Sequence, residues 1–398
     1  MRILFLTSRV PYPPWRGDKL RTFNILKQAA KNNDVHLVSF YATKNEKLSA
    51  QKLKKYVKKI TLVPMPIIQS KIQVYASILS PLPAQNFYYH SSLMKKAVEK
   101  ALKHEPKVIY CHLFRMASYV WKIKGIYKIL DLTDLISVEL RRSLPYRRGL
   151  WKIFFWLEAL KISFIEKFLP RFFEETWLIS DDEKKVFTQS VKRKVIVMPN
   201  GVDIEFTRYK QKRKKFFQNR IMFLGYFGEL YNHNLDAVFY FKKEILPKII
   251  QVLPKSEFIV VGNSVNELKM KGLIEGDQTK FFGFVPNLPK AISSAAVLIC
   301  PLRFAAGVQN KILQAMALGV PVITTSFGNE GIGAKPNEEI IIADSREDFA
   351  KKVVIILKNQ RLRKKISLNA RKFVLKKFKW DIFGQRFKEI KGNLYKLV

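Results

Sequence analysis

VLICPLRFAAGVQNKILQAMALGVPVIT, residues 297–324, contains a complete strand–helix–strand pattern. Val297–Cys300 and Val320–Thr324 are short apolar runs that predict buried strands, and residues 309–318 have the apolar spacing of a helix. Strands that are joined through a helix lie parallel in one sheet, because the helix carries the chain back to its starting edge. This stretch therefore predicts the α/β fold class.

The same alternation continues on both sides of that stretch. Further strands are predicted at Arg2–Thr7, Val35–Phe40, Ile60–Val63, Val108–Cys111, Lys128–Leu132, Thr176–Ile179, Val195–Met198, Ile221–Leu224, Glu257–Val261, Thr279–Phe282 and Glu339–Ile342. Further helices are predicted at residues 19–31, 234–252 and 346–358, and a charged stretch at residues 210–220 separates two series. We therefore predict two doubly wound Rossmann-like domains, residues 1–205 and 206–379, that face each other across a cleft and bind ligands at the carboxyl ends of their strands.

The composition is that of a folded protein. Hydrophobic residues make up 48% and charged residues 26% of the 398 residues, which excludes a disordered polycation. Two cysteines, Cys111 and Cys300, exclude a disulfide scaffold and fit a reducing cytosol. The first apolar run is too short for a signal peptide, and no uncharged apolar stretch of about 18 residues predicts a spanning helix.

The formal net charge of +40 is distributed unevenly along the chain. Residues 1–150 carry +20 and residues 351–398 carry +14, whereas residues 251–350 carry −1. Nucleic acid, an anionic membrane surface and an acidic substrate are the candidate partners of such a chain. A compositional enrichment in lysine without any partner is the alternative, and the sequence leaves both explanations open.

Residues 141–177 are aromatic, apolar and basic at the same time. Lys152, Glu158 and Lys161 exclude a membrane span. Two interpretations remain: an interfacial membrane helix with snorkelling Lys and Arg, and a buried helix of the first domain with a basic outer rim.

Several local motifs occur in a fixed order along the chain. PYPPWRGD (residues 11–18) follows the first strand, PNGVD (199–203) ends the first series, and VVG (260–262), FGFVP (282–286) and GVQNKILQAMALGVPV (307–322) lie in the second series. Together these motifs resemble the family-4-like retaining glycosyltransferases of the two-domain GT-B fold, over nearly the whole chain. The resemblance is to a bacterial subgroup of sugar transferases associated with exopolysaccharide and surface-glycan assembly.

The resemblance implies a reaction and its partners. A sugar would pass with retention from a nucleotide-diphosphate donor to a lipid-linked or growing surface-glycan acceptor. Residues 206–379 would bind the nucleotide sugar, residues 1–205 would take the acceptor, and the C-terminal helix, residues 380–398, would pack back on the first domain. The resemblance implies no metal and no cofactor beyond the nucleotide sugar. It implies a cytoplasmic protein in peripheral contact with an anionic membrane, with nucleic acid not expected as a partner.

The predicted donor site lies mainly in the second series. A diphosphate needs backbone N–H groups, a helix N-terminus and cations, and the stretch from Gly307 through Asn310 to Lys311, with Arg303 nearby, offers all three. Gly225 directly follows a strand and would allow close backbone approach to the ligand. Ordinary solvated charge and a simple turn are the alternative explanations for these residues. The resemblance adds Glu330 as a donor-side candidate, with a surface turn as its alternative.

The resemblance also points to residues of the first domain. Gly17 would belong to a flexible loop over the donor, and His112, after the strand Val108–Cys111, would face the donor sugar. Asp131 and Asp134 would orient an acceptor hydroxyl. The structural alternatives are helix caps for the carboxylates and a core position for His112.

One departure from the family pattern concerns the nucleotide. The family carries two glutamates with seven residues between them, of which the second grips the ribose, and here these positions are Ala306 and Gln314. A glutamine keeps an acceptor and adds donors, so ribose contact survives without the negative charge. The departure supports, as alternative, a catalytically degenerate GT-B protein that acts as a basic membrane- or nucleic-acid-binding module. A nucleotide-sugar 2-epimerase shares the fold, but its carboxylate pair and histidine base are not apparent.

Overall fold

The computed structural model describes residues 1–203, 206, 219–228 and 232–396. These residues form two compact units: unit 1 comprises Met1–Pro199 and Trp380–Val398, and unit 2 comprises Asn200–Lys379. The chain thus divides a few residues before the predicted boundary. Residue 205 and residues 210–218, on which that prediction depended, lie outside the described residues.

The described part of unit 1 contains a seven-stranded sheet in the order β3-β2-β1-β4-β5-β6-β7, with every neighbouring pair parallel. Its strands are β1 Arg2–Thr7, β2 Asp34–Tyr41, β3 Lys59–Pro64, β4 Val108–His112, β5 Tyr127–Thr133, β6 Glu175–Leu178 and β7 Val195–Val197. The order reverses between β1 and β4, which is the topological switch point of a doubly wound sheet.

Strand β1 shows why this sheet needs helices on both faces. Leu4 and Leu6 belong to one buried hydrophobic cluster, and Ile3 and Phe5 belong to another. Successive side chains of a strand point to opposite faces, so the sheet has one cluster on each face. A strand that is apolar at every position is typical of such a fully covered parallel sheet.

Ten α-helices connect these strands in the described part of residues 1–199. They are α1 Gly17–Ala30, α2 Lys44–Ser49, α3 Ile67–Ala76, α4 Ala84–Tyr88, α5 Ser92–Leu102, α6 Phe114–Ala117, α7 Ile136–Ser143, α8 Gly149–Phe168, α9 Asp181–Lys184 and α10 Gln189–Lys192. Short 3₁₀ segments follow three of them, at Ala50–Leu53, Leu144–Tyr146 and Leu169–Phe172.

The described part of unit 2 contains a six-stranded parallel sheet in the order β10-β9-β8-β11-β12-β13. Its strands are β8 Arg220–Leu224, β9 Glu257–Val261, β10 Thr279–Phe282, β11 Val297–Cys300, β12 Val322–Thr324 and β13 Ile341–Ile342. Its helices are α11 His233–Tyr240, α12 Leu246–Val252, α13 Asn266–Met270, α14 Leu288–Ser293, α15 Asn310–Ala317, α16 Ser326–Asn329, α17 Arg346–Lys358 and α18 Gln360–Lys377. The switch point here lies between β8 and β11.

One predicted helix is interrupted. Residues 234–252 form α11 and α12 with a π-helical segment, Phe241–Ile245, between them. Pro247 lies in the first turn of α12, and a proline ring clashes with the carbonyl group four residues earlier. Widening the preceding turn to π geometry removes that clash.

The last helix, α19 Asp381–Lys396, belongs to unit 1. Phe383, Phe387 and Ile390 are buried on one of its faces, and the rings of Phe383 and Phe387 lie 5.5 and 5.6 Å from that of Trp177 on β6. Residues 380–396 therefore complete one face of the sheet that residues 1–199 begin. Among the described residues, no helix combines the length and the apolarity that crossing a bilayer requires.

Candidate functional site

Lys311, at the carboxyl edge of the unit 2 sheet, has an ammonium group that is bonded to an amide rather than to a carboxylate. It lies in the first turn of α15, and its Nζ donates to Oδ1 of Asn234 and lies 4.4 Å from the ring centre of Phe223. Within the described ranges, no carboxylate is within ion-pair distance of this ammonium group. Burial lowers the pKa of Lys311 below its ordinary value, because the charged form is poorly solvated. A ligand that supplies negative charge here would relieve that cost.

The loop before α15 is built for close backbone contacts. Gly307 has φ +66°, a left-handed conformation that favours glycine. A Cβ on Gly331 would lie 2.6 Å from the carbonyl oxygen of Gly307, so the loop after β12 packs directly against the loop after β11. Helix α15 then begins at Asn310 without a capping side chain on Gln309. These features bring Gly307, Asn310 and Lys311 to one corner of the sheet edge.

Three of the predicted donor residues of unit 2, Asn310, Gln314 and Glu330, differ in their local environments. Oδ1 of Asn310 accepts a hydrogen bond of 2.9 Å from Asn200. Gln314 is half-buried on α15, one turn after Lys311, and Glu330 is half-buried just after α16. Their contacts with nucleotide or sugar stay predictions.

Arg303 is balanced by a carboxylate of the protein itself. Its Nε donates to Asp236 at 2.9 Å, a second bond joins its Nη2 to the same buried carboxylate, and its guanidinium lies 4.9 Å from the ring centre of Tyr240. Arg303 therefore brings less net positive charge to a ligand than Lys311 does.

Gly225 serves the packing of the sheet edge. Its N–H donates to Val261 at 3.1 Å, and a Cβ on Gly262 would lie 1.7 Å from its carbonyl oxygen. The chain segments after β8 and β9 can approach this closely only because residue 262 is a glycine. Ligand contact by Gly225 stays a prediction.

In unit 1, Asp131 is held by several protein groups. It is buried, and its carboxylate accepts bonds from Arg21 Nε at 2.8 Å, from the hydroxyl of Tyr110 at 2.5 Å and from the N–H of Thr133 at 3.0 Å. Burial alone would raise the pKa of Asp131, but Arg21 holds that pKa below its ordinary value. Asp131 thus joins β5 to α1, and its predicted contact with an acceptor is not tested by this geometry.

His112 and Asp134 lie close to this ion pair along the chain and have less extensive hydrogen bonding. His112 is buried at the end of β4, with Nε2 3.5 Å from the hydroxyl of Thr133, and burial lowers its pKa to about 4, so its imidazole is neutral at pH 7. Oδ1 of Asp134 is buried and has no hydrogen-bond partner among the described residues. Burial and the carboxylate of Glu183 raise the pKa of Asp134 well above its ordinary value. A neutral imidazole and a carboxyl group of raised pKa are therefore the groups available here.

The backbone beside His112 is strained. Leu113 and Thr133 have φ of +69° and +64°, although neither is a glycine, and they lie at the ends of the neighbouring strands β4 and β5. Such residues are uncommon and concentrate at functional sites. The strain therefore marks the carboxyl edge of β4 and β5 independently of any motif.

Three arginines that the sequence analysis did not select gather near the same edge. Arg9 pairs with Asp18 at 2.8 Å, and Nε of Arg16 lies 3.5 Å from the same carboxylate. Burial alone would raise the pKa of Asp18, but Arg9, Arg16, His112 and Arg115 together lower it far below its ordinary value. The carboxylate of Asp18 thus lies near three guanidinium groups, and such a cluster of arginines is suited to an anion.

Arg115 is the buried member of this arginine cluster. Its Nη1 donates to Gln85 at 2.6 Å, its Nε donates to the hydroxyl of Ser8 at 3.3 Å, and its guanidinium lies 4.9 Å from the ring centre of Tyr89. The rule that ligands bind at strand carboxyl ends was the available signal, because Arg9 and Arg115 follow β1 and β4 by two and three residues.

Gly17 does not lie in a loop: it is the exposed first residue of α1. Arg16 occupies the N-cap position of that helix. A role of Gly17 over the donor stays a prediction. No group of three or more His, Cys, Asp or Glu side chains in the described ranges is arranged to hold a metal ion.

Comparison with known proteins gives one family and several similar chains. Residues 221–359 match the family described as glycosyl transferases group 1. An "uncharacterized 44.6 kDa protein in cps region" of Klebsiella pneumoniae is 23% identical, over 98% of this chain and 99% of that protein.

Two solved structures are similar over almost their whole length. Anabaena HepE in complex with UDP and glucose has a TM-score of 0.67 at 15% identity, covering 99% of this chain and 100% of that one. WaaG, described as a glycosyltransferase involved in lipopolysaccharide biosynthesis, has a TM-score of 0.61 at 14% identity, covering 98% and 100%. The two parallel sheets, these likenesses and the family match of unit 2 agree with one another. The chain has the GT-B fold, and residues 221–359, within unit 2, match the glycosyl transferases group 1 family.

Proposed function

We propose that this protein transfers a sugar, with retention of anomeric configuration, from a nucleotide-diphosphate donor to a lipid-linked or growing surface-glycan acceptor. The reaction would take place at the cytoplasmic face of the membrane. The observation that carries the proposal is the half-buried ammonium group of Lys311 in the first turn of α15, which has no carboxylate partner within the described residues. A donor diphosphate at this place would supply the missing negative charge.

The residues around Lys311 would divide the work of holding the donor. The first amides of α15 and the ammonium group would bind the diphosphate, and they would stabilise its charge as it leaves the sugar. Gln314, one turn later, would bind the ribose hydroxyls through its amide. The similarity to HepE, which was solved with UDP and glucose, supports a nucleotide sugar as donor.

The residues of unit 1 would act on the sugar and the acceptor. Neutral His112 is suited to donate a hydrogen bond to a sugar hydroxyl or to accept one from it, and the carboxyl group of Asp134 is suited to accept one. The arginine cluster of Arg9, Arg16 and Arg115 favours an acceptor that carries phosphate, as a lipid-linked glycan does. The similarity to WaaG and to the protein of the cps region supports glycan assembly as the setting.

Retention would follow from attack on the same face of the sugar that the diphosphate leaves. The resemblance of the motifs to family-4-like enzymes supports this stereochemistry. Nuclear magnetic resonance of the freshly formed product tests it, because the anomeric configuration should equal that of the donor. An inverted product would contradict the retaining mechanism and leave sugar transfer itself intact.

A panel of nucleotide sugars tests the donor site with two variants. Lys311→Met should weaken donor binding by about 10- to 100-fold, since a hydrogen bond to a charged group contributes about 1.5–3 kcal/mol. Lys290→Met, an exposed lysine on α14 of the same unit, should bind as the unsubstituted protein does. Calorimetric titration gives the affinities, and release of free nucleotide gives turnover.

The same measurements separate the alternative of a degenerate binding module. Nucleotide binding without hydrolysis or transfer from any donor would favour that alternative, which Gln314 and Ala306 support. No nucleotide binding, or equal affinities of the two lysine variants, would contradict the donor site proposed here.

A further inference from the structure

Unit 1 carries a broad apolar surface that no described element covers. It consists of α3, the segment 77–83 that follows it, and the first three turns of α8, and we call it the α3–α8 surface. Its exposed large apolar side chains are Ile67, Ile68, Ile72, Tyr75, Ile78, Leu79, Leu82, Leu150, Trp151, Ile153, Trp156, Leu157 and Leu160. Exposed fractions of 97% for Leu79 and 83% for Leu150 show that these side chains face solvent rather than the core. Single exposed apolar residues are ordinary, but a contiguous set marks an interaction site.

Two hydrogen bonds hold the parts of this surface together. Nζ of Lys161 donates to the carbonyl oxygen of Ser77 at 2.7 Å, and Glu158 accepts a bond of 2.8 Å from the N–H of Ala84. The segment 77–84 therefore lies along the middle turns of α8. Ile78 and Leu79 follow Ser77 directly, and Leu157 and Leu160 are the chain neighbours of Glu158 and Lys161; all four are exposed. The two hydrogen bonds therefore place both parts in one surface.

Helix α8 has the reverse of the pattern expected for a helix at an aqueous surface. Its two acidic side chains are buried: Glu158 bonds to Ala84, and Glu166 accepts a bond of 2.5 Å from the hydroxyl of Ser137. Seven of its large apolar side chains are exposed instead, whereas Ile162 and Ile165 are buried; the exposed ones are Leu150, Trp151, Ile153, Trp156, Leu157, Leu160 and Phe164. A helix that turns its carboxylates inward and its tryptophans outward is arranged for an apolar or interfacial environment.

The charges exposed on and next to this surface have one sign. Lys152 and Lys167 are exposed on α8, Arg148 directly before it and Lys71 on α3. Arg141, exposed on α7, donates to the hydroxyl of Ser163 on α8. The sequence contains no Asp or Glu in residues 47–98 or in residues 140–157. A partner for this surface must therefore combine apolar material with negative charge.

We propose that the α3–α8 surface docks this protein onto an anionic lipid bilayer. Its apolar side chains would enter the boundary between headgroups and acyl chains, where Trp151, Trp156 and Tyr75 have favourable positions. The surrounding Lys and Arg would contact the lipid phosphates. A second copy of the chain is a poor occupant, because two such surfaces would bring their cations together. The docking site specifies the membrane contact of the proposed function and is independent of sugar transfer.

Sedimentation of the full-length protein with vesicles tests the docking site. Vesicles of phosphatidylcholine alone are compared with vesicles that also contain phosphatidylglycerol, and stronger binding to the second kind is expected. The variant Leu79→Ser/Trp151→Ser/Trp156→Ser should bind the anionic vesicles at least about tenfold more weakly, because three large apolar side chains no longer enter the bilayer. Met270→Ser/Ile274→Ser removes two equally exposed apolar side chains from unit 2 and should bind unchanged.

A second variant tests the charges. Arg148→Gln/Lys152→Gln should reduce the preference for anionic vesicles while it retains residual binding to both kinds. All substituted residues are exposed, so the thermal unfolding midpoint should stay within a few degrees of the unsubstituted value. Release of nucleotide from the donor in the absence of lipid should be the same in every variant. A failure of donor binding would therefore contradict the proposed function, and the proposal of the docking site would be unaffected.

Three outcomes would overturn the docking site. The first is equal sedimentation of the protein with and without either kind of vesicle. The second is unchanged binding by the variant that lacks Leu79, Trp151 and Trp156. The third is a dimer in lipid-free solution that this variant converts to a monomer, which would identify the α3–α8 surface as a contact between two copies.

Discussion

At the scale of single residues, the predicted site residue Asp131 forms an ion pair with Arg21 in which both side chains are completely buried. Arg21 also donates to the carbonyl oxygen of Met198 at 2.8 Å, and its guanidinium lies 5.1 Å from the ring centre of Phe383. One ion pair thus connects α1, β5, the end of β7 and α19. A pair in this position contributes mainly to the integrity of unit 1.

We predict that Asp131→Asn destabilises unit 1 by about 3–5 kcal/mol, because the guanidinium of Arg21 would stay buried without its counter-charge. The double variant Arg21→Met/Asp131→Leu should be less destabilised than this single variant, since it removes both charges. Urea unfolding at pH 7 measures the difference. Unchanged stability of Asp131→Asn together with lost transferase activity would instead assign Asp131 a direct role at the acceptor.

The part of the candidate site that lies in one continuous segment of the chain could be predicted from the sequence. Gly307, Asn310 and Lys311 follow one strand directly, so the motif alone places them at a sheet edge. Arg9 and Arg115 are 106 residues apart in the chain and come near one carboxylate only through the pairing of β1 with β4. No local sequence pattern predicts the arginine cluster, because its members come together only when the chain is folded.

At the scale of elements, strands were predicted better than helices. Glu257–Val261, Thr279–Phe282 and Val297–Cys300 occur with the predicted bounds. The first and third are short runs that are buried on both faces, whereas Thr279–Phe282 is an edge strand whose residues alternate between buried and exposed. Helices α3 and α4 were not predicted, since residues 66–90 contain neither regular apolar spacing nor more than one formal charge. The low charge of residues 66–90, which made these helices hard to predict, is also a property of the α3–α8 surface.

For α19 we predict that Phe387→Ala destabilises unit 1 by about 3–5 kcal/mol, the usual cost of removing a buried ring. Phe387 is 1% exposed and lies against Trp177. Tyr395→Ala on the same helix, at a residue that is 63% exposed, should change the stability by less than about 0.5 kcal/mol.

Urea unfolding followed by the fluorescence of Trp177 and the other tryptophans measures both α19 variants. All six tryptophans of the chain lie in unit 1, at positions 15, 121, 151, 156, 177 and 380, so this signal reports on that unit. Equal stability of the two variants would show that α19 contributes little to the core of unit 1.

At the scale of the whole molecule, the structure changes the account of the charge. Residues 351–398 carry a net charge of +14. Only Trp380–Val398 belongs to unit 1, whereas residues 351–379, with 12 Lys and Arg and no Asp or Glu, belong to unit 2. The surplus charge is therefore divided between both units, and it does not by itself mark the acceptor side.

This distribution leads to a prediction about nucleic acid. The chain should bind duplex DNA at low salt through phosphate contacts alone, and the affinity should fall at least about tenfold between about 50 and 200 mM salt. Fluorescence anisotropy with two unrelated DNA sequences measures it, and the two sequences should bind equally. Binding that prefers one sequence and persists at high salt would favour the nucleic-acid-binding alternative over the transferase.

The return of the chain to unit 1 at residues 380–396 has a consequence for synthesis in the cell. Residues 1–199 emerge first from the ribosome. The face of their sheet that α19 covers stays exposed to solvent until residues 380–396 have emerged. Unit 2, which is continuous from Asn200 to Lys379, has all its residues available earlier. The nascent protein should therefore complete its second unit before its first, and a chain that stops before residue 380 should expose the hydrophobic face around Trp177 to chaperones and proteases.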